Sequence, residues 1–182
     1  LREAGGILYK ELAKLGIVGL TSAYSLMDED EKMVWYYAAS PADGSIMSEP
    51  MGTPNTETQP MRSITASWKK QEPYHIVELD AKETIAHQTF IAERSINFPY
   101  TAAELISFSL EELKLHTFNF KQGYLLQIGA EKLSADQIDI MLRFTKVFEM
   151  TYRRFLDLQK AEAQAREAQI EAALERVRSR SM

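Results

Sequence analysis

Histidine, hydroxyl and acidic side chains are where this chain could do chemistry, and their spacing does not support it. The three histidines, His75, His87 and His116, lie far apart, and none has a second histidine or a cysteine three or four residues away. The spacing that lets a helix or turn hold zinc is therefore missing. A Ser/His/Asp triad is assembled in space, but the Gly-x-Ser-x-Gly elbow that presents a nucleophile is absent. The chain has no cysteine, which excludes disulfides, thiolate catalysis and cysteine-held metals. The acidic run Asp28-Glu29-Asp30-Glu31, followed by Lys32, lacks the spaced oxygens, central glycine and terminal bidentate glutamate of a calcium loop. It reads as a solvated turn. The expectation is a chain that binds or relays and does not catalyse.

The composition fits that expectation. The chain has 182 residues, 45% hydrophobic and 26% charged, enough for one core plus an extension. Residues 1–151 carry 14 basic against 21 acidic side chains, and residues 152–182 carry 7 against 5. An acidic body argues against a nucleic-acid module, which needs a basic footprint. The basic end, Arg176-Val177-Arg178-Ser179-Arg180, suits a helix C-terminus, where cations complement the macrodipole. No apolar run approaches the ~20 residues that span a bilayer, and no signal-peptide pattern opens the chain. With cysteine absent, a cytoplasmic setting is expected. A start at Leu1 and an end in mid-pattern read as a segment of something longer.

The elements follow from period and punctuation. Leu1, Ala4, Leu8, Leu12 and Leu15 share one helix face, with Gly16 as cap and the Gly5-Gly6 pair as a weak point. Residues 17–27 and 33–40 read as a hairpin around the acidic turn, and the aromatic-rich run Met33–Ala38 is strongly β-forming. Residues 41–60 hold four of the six prolines and read as one long loop. Met61, Ile64 and Trp68 predict a helix over 61–71, and residues 74–79 alternate as a strand. Capping-box patterns at Asp80–Glu83, Thr101–Glu104 and Ser134–Gln137 open three further helices. The first of these helices carries Ile85, Phe90 and Ile91 and is broken by Asn97-Phe98-Pro99. Residues 113–120 and 124–128 form a second hairpin, with Gly123 expected to supply a positive φ.

From Ser134 to Met182 there is neither glycine nor proline, which predicts one helix of nearly fifty residues. Its first half is apolar, including Phe148, Tyr152 and Phe155. Its second half spaces Leu156, Ala163, Ile170 and Val177 by seven, with Leu174 at the complementary position and Lys160 and Glu167 interrupting the seam. A parallel dimeric coiled coil is the partner such a face asks for; a single helix held by pairs such as Glu162–Arg166 is the alternative. The division expected is a domain over 1–150 and a coiled-coil linker over 151–182.

The order of elements, an antiparallel sheet with flanking helices and a terminal long helix, resembles a GAF-type regulatory domain. The resemblance is carried best by Arg143–Glu149, Thr151–Ala168 and Ile170–Arg178, which look like the linker joining GAF-like units to the next module in sensor histidine kinases of Bacteroidetes-type bacteria. Trp68-Lys69-Lys70, Tyr74, Glu78-Leu79, Phe118-Asn119-Phe120 and Gly123-Tyr124-Leu125 resemble those units as well. The fold this implies is α+β, a GAF-like antiparallel sheet of about five or six strands flanked by helices, with the long C-terminal helix paired in a dimer.

The function implied is that of a non-catalytic input module in two-component signal transduction, whose parent is a histidine kinase. No phosphoacceptor histidine lies in the long helix and no ATP-binding glycine motif is present. GAF-like folds place a ligand between one sheet face and the helices over it, and Trp35, Tyr37, Trp68, Tyr74, Phe90 and Phe118 are the aromatic candidates to line such a pocket. A covalently attached bilin needs a cysteine, and the family's cyclic-nucleotide signature is not visible, so the ligand is left unassigned. The partners expected are a second copy, through the terminal helices, and a small molecule; neither nucleic acid nor a membrane segment is expected. The competing reading is a ligand-free spacer that dimerises within a tandem array.

Overall fold

The computed structural model describes residues 2–17, 19–38, 47 and 49–180, with side chains from Ile7 onward. Leu1, Ala39–Ser40, most of the first half of the 41–60 segment, and Ser181–Met182 lie outside the described residues. The elements are α1 (Arg2–Lys14), β1 (Thr21–Met27), β2 (Met33–Ala38), β3 (Met51–Pro54), α2 (Gln59–Lys69), β4 (His75–Leu79), α3 (Ala81–Arg94), α4 (Ala102–Phe108), β5 (Leu113–Phe120), β6 (Gly123–Gly129) and α5 (Ala135–Arg180). Six antiparallel strands make one open sheet in the order β3-β2-β1-β6-β5-β4. The class is α+β.

Local chemistry sets the boundaries. Asp80 accepts from the Glu83 backbone N–H at 2.8 Å while the Glu83 carboxylate accepts from the Asp80 N–H, and Thr101 and Glu104 repeat the reciprocal arrangement. Ser134 and Gln137 close a third such box at the start of α5. Each satisfies N–H groups that a helix start leaves unpaired. The acidic turn is held by Asp28, whose carboxylate accepts from the N–H groups of Lys32 and Met33. Gly16 ends α1 at φ +75°, a conformation glycine adopts without steric cost.

Two expectations are corrected. The 41–60 segment is not one loop: Met51–Pro54 pairs with β2, and α2 begins at Gln59 with Pro60 in its first turn, where proline lacks no needed donor. Pro54 is tolerated because β3 is an edge strand. Its outer side is bridged by Ile96, which exchanges both backbone hydrogen bonds with Gly52. Gly123, second, does not adopt a positive φ. It is needed because a Cβ there would collide with the carbonyl oxygen of Ser25 on β1.

Register divides the side chains between two buried faces. Ala23, Tyr36, Leu126, Leu115, Val77 and Leu79 share one face, where they pack with Met61 and Ile64 of α2. Tyr24, Leu125 and Phe118 lie on the other and are fully buried. α1 packs against β1 and β2 there, burying Leu8 and Leu12. Because both faces are covered, six of the seven β1 residues are buried, Ser22 and Ser25 included. Ser22 Oγ donates to Gln127 Oε1 on β6, so one buried polar pair is settled within the sheet.

The chain falls into two compact units, Leu1–Thr145 and Lys146–Met182. The first includes the opening of α5, where Met141 and Thr145 are buried. The second is the remainder of that helix. Phe148, Tyr152 and Phe155 form a run of stacked rings along it, and Val147, Met150 and Leu158 are exposed. No helix among the described residues is long and apolar enough to cross a membrane.

Replacing Gly123 by alanine should cost about 3 kcal/mol, because rigid backbone must move. Asp80→Ala should cost about 1 kcal/mol, the loss of one cap. Urea unfolding followed by circular dichroism checks both; a Gly123→Ala loss no larger than that of Asp80→Ala would refute the close approach of β6 to β1.

Candidate functional site

A hollow of about 90 Å³ lies between the first sheet face and the helices over it. Its floor is made by Thr21, Ala23, Tyr36, Ala38, Leu113, Leu115, Leu126 and Ile128 from four strands. Small side chains at 23 and 38 leave room there. Met61 and Ile64 of α2, His87, Gln88 and Ile91 of α3, and Leu105 of α4 form the roof, with Met47, Met51 and Phe98 at the side. Three methionines line one small space, and their flexible thioethers adapt to irregular shapes.

The inward face of α3 is polar. Thr84, His87 and Gln88 are its buried residues, whereas Ile85, one of the three large apolar residues the sequence places on this helix, is half exposed. Gln88 is satisfied: its Nε2 donates to Ser109 Oγ at 2.7 Å, tying α3 to the end of α4. Tyr36 is satisfied through its hydroxyl, 2.7 Å from that of Tyr124, and burial pushes both phenols above their ordinary range. His87 Nδ1 is different. It is buried and has no hydrogen-bond partner. Burial lowers the imidazole pKa from 6.5 to about 4, so the ring is neutral at pH 7. The same ring also walls a separate cleft of about 220 Å³, where it meets the Thr58–Pro60 segment, Leu79 and Glu83.

The six aromatic candidates do not meet in this cavity, and none of them lines it. Trp35 and Tyr37 alternate with Tyr36 and therefore sit on the opposite face; Tyr37 stacks on Tyr24 at 4.6 Å. The Trp35 ring lies across Gly52, where a Cβ would stand 2.9 Å from it. Phe118 is also on that face, 5.1 Å from Tyr74 between ring centres. Trp68 donates from Nε1 to the Phe120 carbonyl at 3.1 Å, a structural tie between α2 and β5. Phe90 packs at the edge of the core cluster. Sequence reasoning missed His87 as a site residue because its helix shows no clean apolar stripe. The signal it did carry is the Thr84, His87, Gln88, Ile91 spacing, which puts polar groups on one helical face.

The other histidines have partners. His116 Nδ1 lies 2.8 Å from the Tyr74 hydroxyl and its Nε2 lies 3.2 Å from the Glu131 carbonyl. Burial lowers its pKa. His75 Nε2 lies 2.9 Å from Ser63 Oγ. Among the described residues, no three histidine or acidic side chains gather where they could hold a metal ion.

The dimer-helix candidates occupy two zones of α5. Phe148, Tyr152 and Leu156 are half-buried, and Phe155, Ala163, Ile170, Leu174 and Val177 are exposed. Comparison with known proteins returned no matching family model, no matching curated protein and no matching solved structure.

Because His87 is neutral when folded, the unfolded chain binds the extra proton between pH 6.5 and 4. Stability is therefore full above pH 6.5 and falls as the pH drops toward 4, by about 3 kcal/mol from this group. Unfolding measured at pH 7 and 4.5 should show that loss in the parent chain and a clearly smaller one in His87→Leu, with His116 common to both. Equal losses in the two proteins would contradict the buried neutral ring.

Proposed function

We propose that this chain is a GAF-like sensory or relay module of a cytoplasmic, multidomain signalling protein, of the two-component histidine-kinase type. The observation that carries the reading is the hollow under α2–α4, with a buried histidine that has no partner of its own. A spacer needs no such space, and a fully packed interior would be the cheaper construction. The module is proposed as non-catalytic. Its output is a helix pair with two arrangements, and a ligand shifts them only by binding one better than the other.

The second unit supports the pairing. Ile170 and Leu174 are 46% and 54% exposed, two large apolar side chains one helical turn apart on the surface of this helix. Leu156 and Ala163 continue the same spacing toward the first unit. Helices of this kind gain stability by burying such a seam against a second copy. The ligand-free spacer shares this seam, and the cavity is what separates the two readings.

Sedimentation equilibrium at tens of micromolar should give twice the 20.8 kDa chain mass. The double variant Ile170→Glu, Leu174→Glu should sediment as a monomer, with the thermal unfolding of residues 1–145 unchanged. A monomeric parent chain, or a variant that stays dimeric, would remove the helix pair from the account.

A further inference from the structure

The cavity's wall chemistry narrows what it can hold. Among the described residues lining it there is no aspartate, glutamate, lysine or arginine. A carboxylate, phosphate or ammonium group would enter unpaired and lose its hydration without compensation. The remaining lining is aliphatic or methionine apart from Phe98 and four polar residues, Thr21, Tyr36, His87 and Gln88. Tyr36 and Gln88 are engaged with Tyr124 and Ser109, and Thr21 has an interaction of its own. His87 Nδ1 is, among these described residues, the buried polar atom left without a partner.

Size adds a second limit. A water molecule needs roughly 10–15 Å³ of such space, so a hollow of about 90 Å³ has room for a ring of about six to eight non-hydrogen atoms. Apolar cavities of this order take up small aromatic molecules in preference to water. The unpaired nitrogen asks for one hydrogen bond. A hydroxyl answers it in either tautomer, donating to a bare Nδ1 or accepting from a protonated one.

We infer that the cavity binds a small, neutral, ring-sized molecule bearing one hydroxyl group, held by apolar contact and by a hydrogen bond to His87. This rests on the reading of the cavity as the module's input site, and it adds the chemical class of the input. The cleft behind His87 offers a rival partner in Thr58 Oγ1, which is also buried and unpaired. The rival is separable, because Thr58 does not line the cavity.

Phenol, toluene and benzoate test the class by titration calorimetry on the 182-residue chain at pH 7. Phenol and toluene should bind and benzoate should not. His87→Leu should weaken phenol at least tenfold, the effect of stranding one hydroxyl, while toluene stays within about threefold and so reports an intact cavity. Thr58→Val should leave phenol affinity unchanged. Ala23→Ile, which fills the floor, should remove binding of both. Benzoate binding as well as phenol, a phenol affinity indifferent to His87→Leu, a Thr58→Val loss equal to that of His87→Leu, or no binding of phenol and toluene would each overturn the assignment. Sedimentation of the same samples keeps the two readings apart. A dimer that binds none of the three sinks the ligand class and leaves the relay. A monomer that binds phenol through His87 supports the ligand class and sinks the relay.

Discussion

Burial of the sheet on both faces is the constraint from which the rest follows. With helices on either side, the central strands have no solvent face on which to place a misfit, so every position between β1 and β6 must match in size. Gly123 passes over the Ser25 carbonyl with no room for a Cβ. Ser22 and Gln127 settle their polar groups on each other, and Tyr36 on β2 and Tyr124 on β6 do so across β1. A one-residue slip of β1 against β6 would strand these groups and exchange the two faces together. The register is therefore fixed by polar pairing and by size as much as by hydrophobic patterning.

Within that rigid frame the cavity is an exception to close packing. The sheet contributes Ala23 and Ala38 at its floor, and α3 contributes polar side chains where leucines would fill the space. Filling such a hollow would add stability, and the price of leaving it open is the buried, unpaired His87 Nδ1. On the proposed reading, a ligand that fills the hollow and pairs that nitrogen would recover the missing contacts, and that free energy would be available to bias the proposed helix pair. The strands beneath are the stiff part of this arrangement. The methionines at its side and roof are the adaptable part.

Much of the fold is legible in the residues. The three capping boxes stand where their spacing places them, the two hairpins turn at Asp28–Lys32 and Lys121–Gln122, and the run without glycine or proline is one helix to Arg180. The edge strand was hidden because four residues with a proline and a glycine carry too little β signal, and its pairing is supplied by β2 and Ile96 from outside the segment. The site was hidden for a different reason. Alternation shows that Trp35 and Tyr37 oppose Tyr36, but not which face will receive the hollow; that is decided by α2, α3 and α4, which come later in the chain. Large aromatics were the natural candidates to line a pocket, yet Trp35, Tyr37 and Phe118 lie on the opposite face, and the pocket is lined mainly by aliphatic side chains and methionines with one unpartnered histidine.

The most direct test of the account is the methyl spectrum of the chain labelled at its eight methionines, recorded while phenol is added. Met47, Met51 and Met61 line the cavity, Met141 is buried in α5, and Met150 is exposed on the second unit. The expected result is a saturable shift of the Met47, Met51 and Met61 signals, larger than at any other methionine. A spectrum in which those three stay fixed while phenol is in excess, or in which Met150 alone responds, would contradict a ligand site beneath α2–α4.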